Sequence, residues 1–173
     1  MTREEKFMME AIALSRKAIE NNEGGPFGCV IVKDDEIIGR GNNKVILDND
    51  PTAHAEIVAI RNACKHLGTF QLNGCEIYTS CEPCPMCLGA IYWARLEKIY
   101  YANTREDAAD AGFDDSMIYK EINLHVDNRK IPSANVCRND AFIIFENWIY
   151  KEDKRVYKTY LSLGNINVHR IPQ

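Results

Sequence analysis

The sequence predicts an α/β domain of three layers, in which a partly parallel sheet carries helices on both faces. Three observations predict it. Segments of helical and strand periodicity alternate along the chain, the strand-like runs at 75–80 and 97–102 are separated by a helix-length apolar stretch, and 173 residues suit one compact domain.

Residues 4–21 place Phe7, Met8, Ile12, Leu14 and Ile19 at roughly helical spacing. They stop before Asn21-Asn22-Glu23-Gly24-Gly25 and so predict an amphipathic helix. Two apolar runs, 28–32 and 36–41, flank the polar turn Lys33-Asp34-Asp35 and predict a β-hairpin that opens the sheet. Asn49-Asp50-Pro51-Thr52 is a turn cluster, after which 53–67 has the length and composition of a buried helix. The runs CEIYTS (75–80) and EKIYYA (97–102) predict strands, with 86–94 as the crossover helix between them. Phe142, Phe145, Trp148 and Ile149 predict a further helix near the C-terminus. No internal repeat, low-complexity stretch or linker interrupts the chain.

Composition narrows the function. Hydrophobic residues are 46% and charged residues 27% of the chain, which excludes a disordered or fibrous protein. The net charge of −4, with lysine and arginine scattered, argues against tight binding of a nucleic acid. The N-terminal MTREEKFMMEAIALSRKAIENN has neither a signal peptide's apolar core nor the ~18 apolar residues that span a bilayer, so a cytoplasmic location is expected. Seven cysteines, an odd number, argue against a disulfide framework; Cys29, Cys64, Cys75 and Cys137 read as small core residues.

The chemistry is carried by His54-Ala55-Glu56, at a predicted helix start, together with Pro83-Cys84-Pro85-Met86-Cys87, at the start of a second helix after a strand. Zinc accepts imidazole nitrogen and thiolate sulfur tetrahedrally, and three protein ligands leave the fourth position open for water. Two cysteines three apart at a helix start can face one ion, where the terminal N–H groups favour thiolates. His54, Cys84 and Cys87 are therefore the expected ligands of one Zn²⁺. Glu56 stands beside the metal and is the expected acid/base. Cys81 extends the run to CxxCxxC and is the candidate fourth ligand of a closed structural site; the expectation is that it sits at a strand end, outside the ligand set.

At these residues the chain resembles the cytidine-deaminase-like zinc deaminase superfamily, whose nucleobase deaminases carry H-x-E and P-C-x-x-C, and within it the guanine deaminases. The resemblance runs over about residues 5–123. It rests on Gly24-Gly25-Pro26-Phe27-Gly28, on the stretch from Asn49 to Glu56, on the stretch from Tyr78 to Trp93, and on Ala111-Gly112-Phe113-Asp114-Asp115.

It implies a three-layer α/β/α fold with a five-stranded mixed sheet, hydrolysis of guanine to xanthine and ammonia, and a homodimer with an exchanged C-terminal segment. It also implies that Asn43 hydrogen-bonds the purine, that Phe27 and Trp93 flank the ring, and that Asp115 contacts the base edge and helps move protons to the departing ammonia. Guanine presents adjacent N1–H and amino donors that one carboxylate can accept, whereas adenine offers an acceptor at N1. Each residue also has a plainer reading: core packing for Phe27 and Trp93, a turn for Asn43, a helix-cap acid for Asp115.

The deaminase domain is expected over 1–157. The segment 158–173, KTYLSLGNINVHRIPQ, is an extension beyond the family pattern, and a lid altered by it could admit guanosine or deoxyguanosine. A tRNA adenosine deaminase shares the zinc motif but calls for a basic surface, and a zinc-stapled binding module would not need Glu56.

Overall fold

A computed structural model of the chain describes residues 1–157; the expected extension, 158–173, lies outside the described residues. The chain divides into two compact units, 1–123 and the residues from Leu124 onward. The first holds helices α1 (Arg3–Glu20), α2 (Val45–Asp48), α3 (Ala55–Leu67), α4 (Pro85–Ala94), α5 (Arg105–Asp110) and α6 (Ser116–Ile122). Its strands are β1 (Gly28–Lys33), β2 (Glu36–Asn42), β3 (Glu76–Cys81) and β4 (Lys98–Asn103). The second holds a 3₁₀ turn, Val126–Asn128, and helix α7 (Arg138–Tyr150), whose Phe142 ring lies 5.6 Å beneath the Arg138 guanidinium.

The strands run in the order β2-β1-β3-β4, antiparallel across the first two contacts and parallel between β3 and β4, with α4 as the crossover. The hairpin closes through Asp34 and Asp35 at φ 48° and 64°, the two positive values that suit a tight turn to the twist of its strands.

β1 alternates between two buried faces. Val30 and Val32 point with Tyr78 towards Phe7 of α1, while Cys29 and Ile31 point with Ile77 towards α3 and α4. A sheet buried on both sides is what puts helices above and below it, and the three layers are those expected.

On one face β2 touches α3 with almost nothing between them. A Cβ on Gly39 would lie 2.5 Å from the Ala59 carbonyl oxygen, and one on Gly41 would lie 2.2 Å from that of Ala55. The helix answers with Ala55, Ala59 and Ala63, a stripe at every fourth residue. On the other face Arg3 bonds Asp35, Glu76 and the Tyr78 hydroxyl and holds the start of α1 to the strand ends.

The expected fifth strand is not found: the sheet has four among the described residues. After β4 the chain turns helical because Thr104 and Asp107 form a capping box that starts α5. No helix among the described residues is long and apolar enough to cross a membrane.

Candidate metal and substrate site

His54 and Cys84 occupy equivalent positions, each the N-cap of a helix on the same face of the sheet. Both have extended backbones (φ −67°, ψ 155° and φ −64°, ψ 168°), and neither side chain caps its own helix, so both are free to turn towards a shared centre. Pro85 follows Cys84 at the first helical position, where its missing N–H costs nothing. Cys87 comes one turn later and is buried.

The three ligand atoms lie within 4.8 Å of one another. His54 Nδ1 is 3.6 Å from Cys84 Sγ and 3.5 Å from Cys87 Sγ. Zinc bonds of ~2.0 and ~2.3 Å at a tetrahedral angle require nitrogen and sulfur to stand about 3.5 Å apart, so the donor set fits that ion. The Cys87 thiol, and after it His54, lowers the Cys84 pKa to about 4 against the opposing effect of burial.

Cys81 stands apart from the set. Its thiol donates to the Thr104 carbonyl at 3.4 Å, and burial followed by the charge of Glu56 raises its pKa to about 11, so it stays protonated. The closed Cys₃His arrangement is absent among the described residues.

Glu56 is 6% exposed, and its pKa is raised, chiefly by burial. Thr79 Oγ1 donates to one carboxylate oxygen at 3.4 Å, and Cys87 Sγ lies 3.4 Å from the other. A carboxyl group held this way beside a metal set is suited to accept and return a proton at neutral pH.

A cavity of 460 Å³ is lined by His54, Glu56, Cys81 and Cys84 and, among others, by Phe27, Asn43, Phe113 and Asp115. Phe27 packs against the core and meets Phe113 edge-on at 5.0 Å in the cavity wall. Asn43 is 5% exposed, and its Oδ1 accepts from the Gly25 and Val45 N–H groups, both at 3.2 Å. Its oxygen is thereby committed, which leaves the Nδ2 amide as a donor.

Of the two adjacent acids, Asp114 does the turn's work, accepting from the Ser116 N–H at 2.8 Å. Asp115 is the N-cap of α6 but makes no cap bond; its carboxyl lines the cavity, with its pKa raised by burial and then by Cys84. Trp93 is not brought to this cavity. It is 67% exposed beside Arg95, because the inward face of α4 is taken by Cys87, Ile91 and Ala94, at intervals that turn Trp93 outward.

Residues that sequence reasoning passed over also line the wall: Phe113, Glu82 and Arg105. Phe113 stood within a quoted motif, but nothing in its spacing distinguished it from a turn aromatic.

Residues 1–103 match the family described as the cytidine and deoxycytidylate deaminase zinc-binding region. Over 153 residues the chain is 52% identical to guanine deaminase from Bacillus subtilis, covering 88% of this chain and 98% of that one. The X-ray structure of that enzyme superposes with a TM-score of 0.86, covering 89% of this chain and 98% of the other. A structure of guanine deaminase from Nitrosomonas europaea gives 0.60 at 34% identity, covering 63% of each. The tRNA-specific adenosine deaminase of Aquifex aeolicus is 44% identical over 98 residues, 57% of this chain and 64% of that one.

Proposed function

This chain belongs to the guanine deaminases of the cytidine and deoxycytidylate deaminase zinc-binding family, and on that premise we propose how its own residues carry out the hydrolysis of guanine to xanthine and ammonia. Zinc is the cofactor; bound here, it supplies a Lewis acid that brings the acidity of water to near neutral pH. His54, Cys84 and Cys87 hold it.

Glu56 accepts a proton from the attacking water and passes it to a ring nitrogen, then carries the remaining proton of the hydroxyl now on the ring carbon to the amine as the C–N bond breaks and the carbonyl forms. Asn43 donates its Nδ2–H to an acceptor on the purine. Phe27 and Phe113 bound the ring. Asp115 accepts from the N1–H edge, an interaction adenine cannot offer, and assists the protonation of the leaving ammonia. The observation that carries this reading is the placement of a buried Glu56 beside the His54, Cys84 and Cys87 donors, at a cavity that Asp115 also lines.

Over most of the chain the identity to guanine deaminase is 52%, against 34% for a tRNA-specific adenosine deaminase that spans 84% of it, and a carboxylate at the base edge opposes an adenine. The resemblance also supports a homodimer, which sedimentation tests; the exposed Tyr92, Trp93 and Tyr101 of α4 and β4 are apolar surface for it to cover. An exchanged C-terminal segment belongs to the same proposal. An ammonia-release assay across guanine, guanosine, adenine, cytosine and cytidine tests the substrate. Guanine should be turned over fastest; a strong preference for guanosine, or no turnover of any amino-purine, would overturn the reading.

A further inference from the structure

Asp115 is the N-cap residue of the seven-residue helix α6 and makes no cap bond of its own, which raises the question of what holds its backbone in place beside the cavity. Tyr119 is one helical turn further on, on the same side of α6. Its hydroxyl reaches across to donate to the carbonyl oxygen of Pro83 at 3.3 Å, the residue immediately before Cys84. The Arg105 guanidinium, from the first residue of α5, lies 5.0 Å over the Tyr119 ring. The Arg105 N–H in turn donates to the Glu82 carboxylate at 3.3 Å, so three segments meet at one ring: α5, α6 and the loop that delivers Cys84.

We infer that Tyr119 is a positioning residue, a strut between the α6 backbone and Pro83 that sets Asp115 against the substrate edge. The inference rests on the reading of Asp115 given above. A partly buried ring with a single outward hydroxyl bond is a modest contributor to folding, so stability alone gives no reason for this geometry. A shift of α6 by a fraction of an ångström changes whether the carboxylate accepts both guanine donors or one.

The test is a double-mutant cycle on Tyr119→Phe and Asp115→Asn, measured as kcat/KM for guanine, with zinc content and Tm followed in each variant. Y119F removes one oxygen atom and leaves the ring under Arg105. It should lower kcat/KM about 3- to 10-fold, as expected for one lost hydrogen bond, with zinc retained. In the D115N background the same change should have almost no effect, because the group it positions is gone. If D115N falls below detection in single turnovers with enzyme in excess, Asp115→Glu takes its place, and Y119F should then have an effect different from that in the native background.

Equal losses in both backgrounds would reduce Tyr119 to a structural residue and overturn the inference, as would native activity in Y119F. A D115N enzyme with undiminished kcat/KM would instead overturn the reading of Asp115 itself, and this inference with it.

Discussion

The two walls of the cavity are built differently. The metal wall puts His54 and Glu56 at the start of a 13-residue helix and Cys84 and Cys87 at the start of a 10-residue one, both packed on a sheet buried on its two faces. The base wall puts Asn43, Phe113 and Asp115 on loops and at the edges of helices of 4, 6 and 7 residues. Bond making requires ligand atoms fixed to tenths of an ångström, which long packed elements supply. Recognition of a base edge tolerates re-aiming, and surface segments permit it with little disturbance to the core.

If that division holds, damage to the metal wall acts on turnover and damage to the base wall acts on selectivity. The largest expected effect is from Glu56→Gln: ammonia release should fall about a thousandfold while bound zinc and the circular-dichroism spectrum are unchanged. Retained activity would break the comparison, because the acid/base would then lie elsewhere. Asp115→Asn should lower kcat/KM for guanine about 10- to 100-fold and narrow the preference over adenine, as expected for one mismatched buried edge.

Gly24→Ala should act more gently on the same wall. Its new Cβ would lie 2.0 Å from Asn43 Oδ1, so the amide must turn, and KM should rise about fivefold with kcat nearly intact.

The smallest effect belongs outside both walls. Arg3→Gln removes a guanidinium from Glu76, whose burial would raise its pKa but whose bonds to Arg3 and Tyr78 prevail and lower it. A lowered folded-state pKa gives stability that is present above the unfolded value and lost as pH falls through the folded one. The variant should therefore melt slightly below the native protein at pH 7, converge with it in acid, and keep its kcat/KM throughout.

The same contrast governs what is legible in the sequence alone. α1, the hairpin, α3, β3, α4 and β4 carry long periodic patterns, and their observed bounds differ from the expected ones by one or two residues. The metal donors were legible for the same reason, since zinc constrains both residue type and spacing. α2, α5 and α6 are too short to establish a period, and they are the elements that frame the base wall.

The orientation of the Asn43 amide was not legible because it depends on two backbone N–H groups, one of them 18 residues away. Trp93 was assigned by resemblance to a position that its own helix turns away from the cavity. The fifth strand was likewise an expectation carried by the fold family, and a capping box at Thr104 supplants it within the described chain.

The bare contact between β2 and α3 ties together two residues that line the cavity. Asn43 directly follows the end of that strand and His54 directly precedes that helix, so both are attached to a pair of elements that glycine lets touch backbone to backbone. A methyl group at Gly39 or Gly41 would meet the backbone of α3 and drive the strand from the helix, so two positions far from any chemistry govern how the ends of both elements stand to each other.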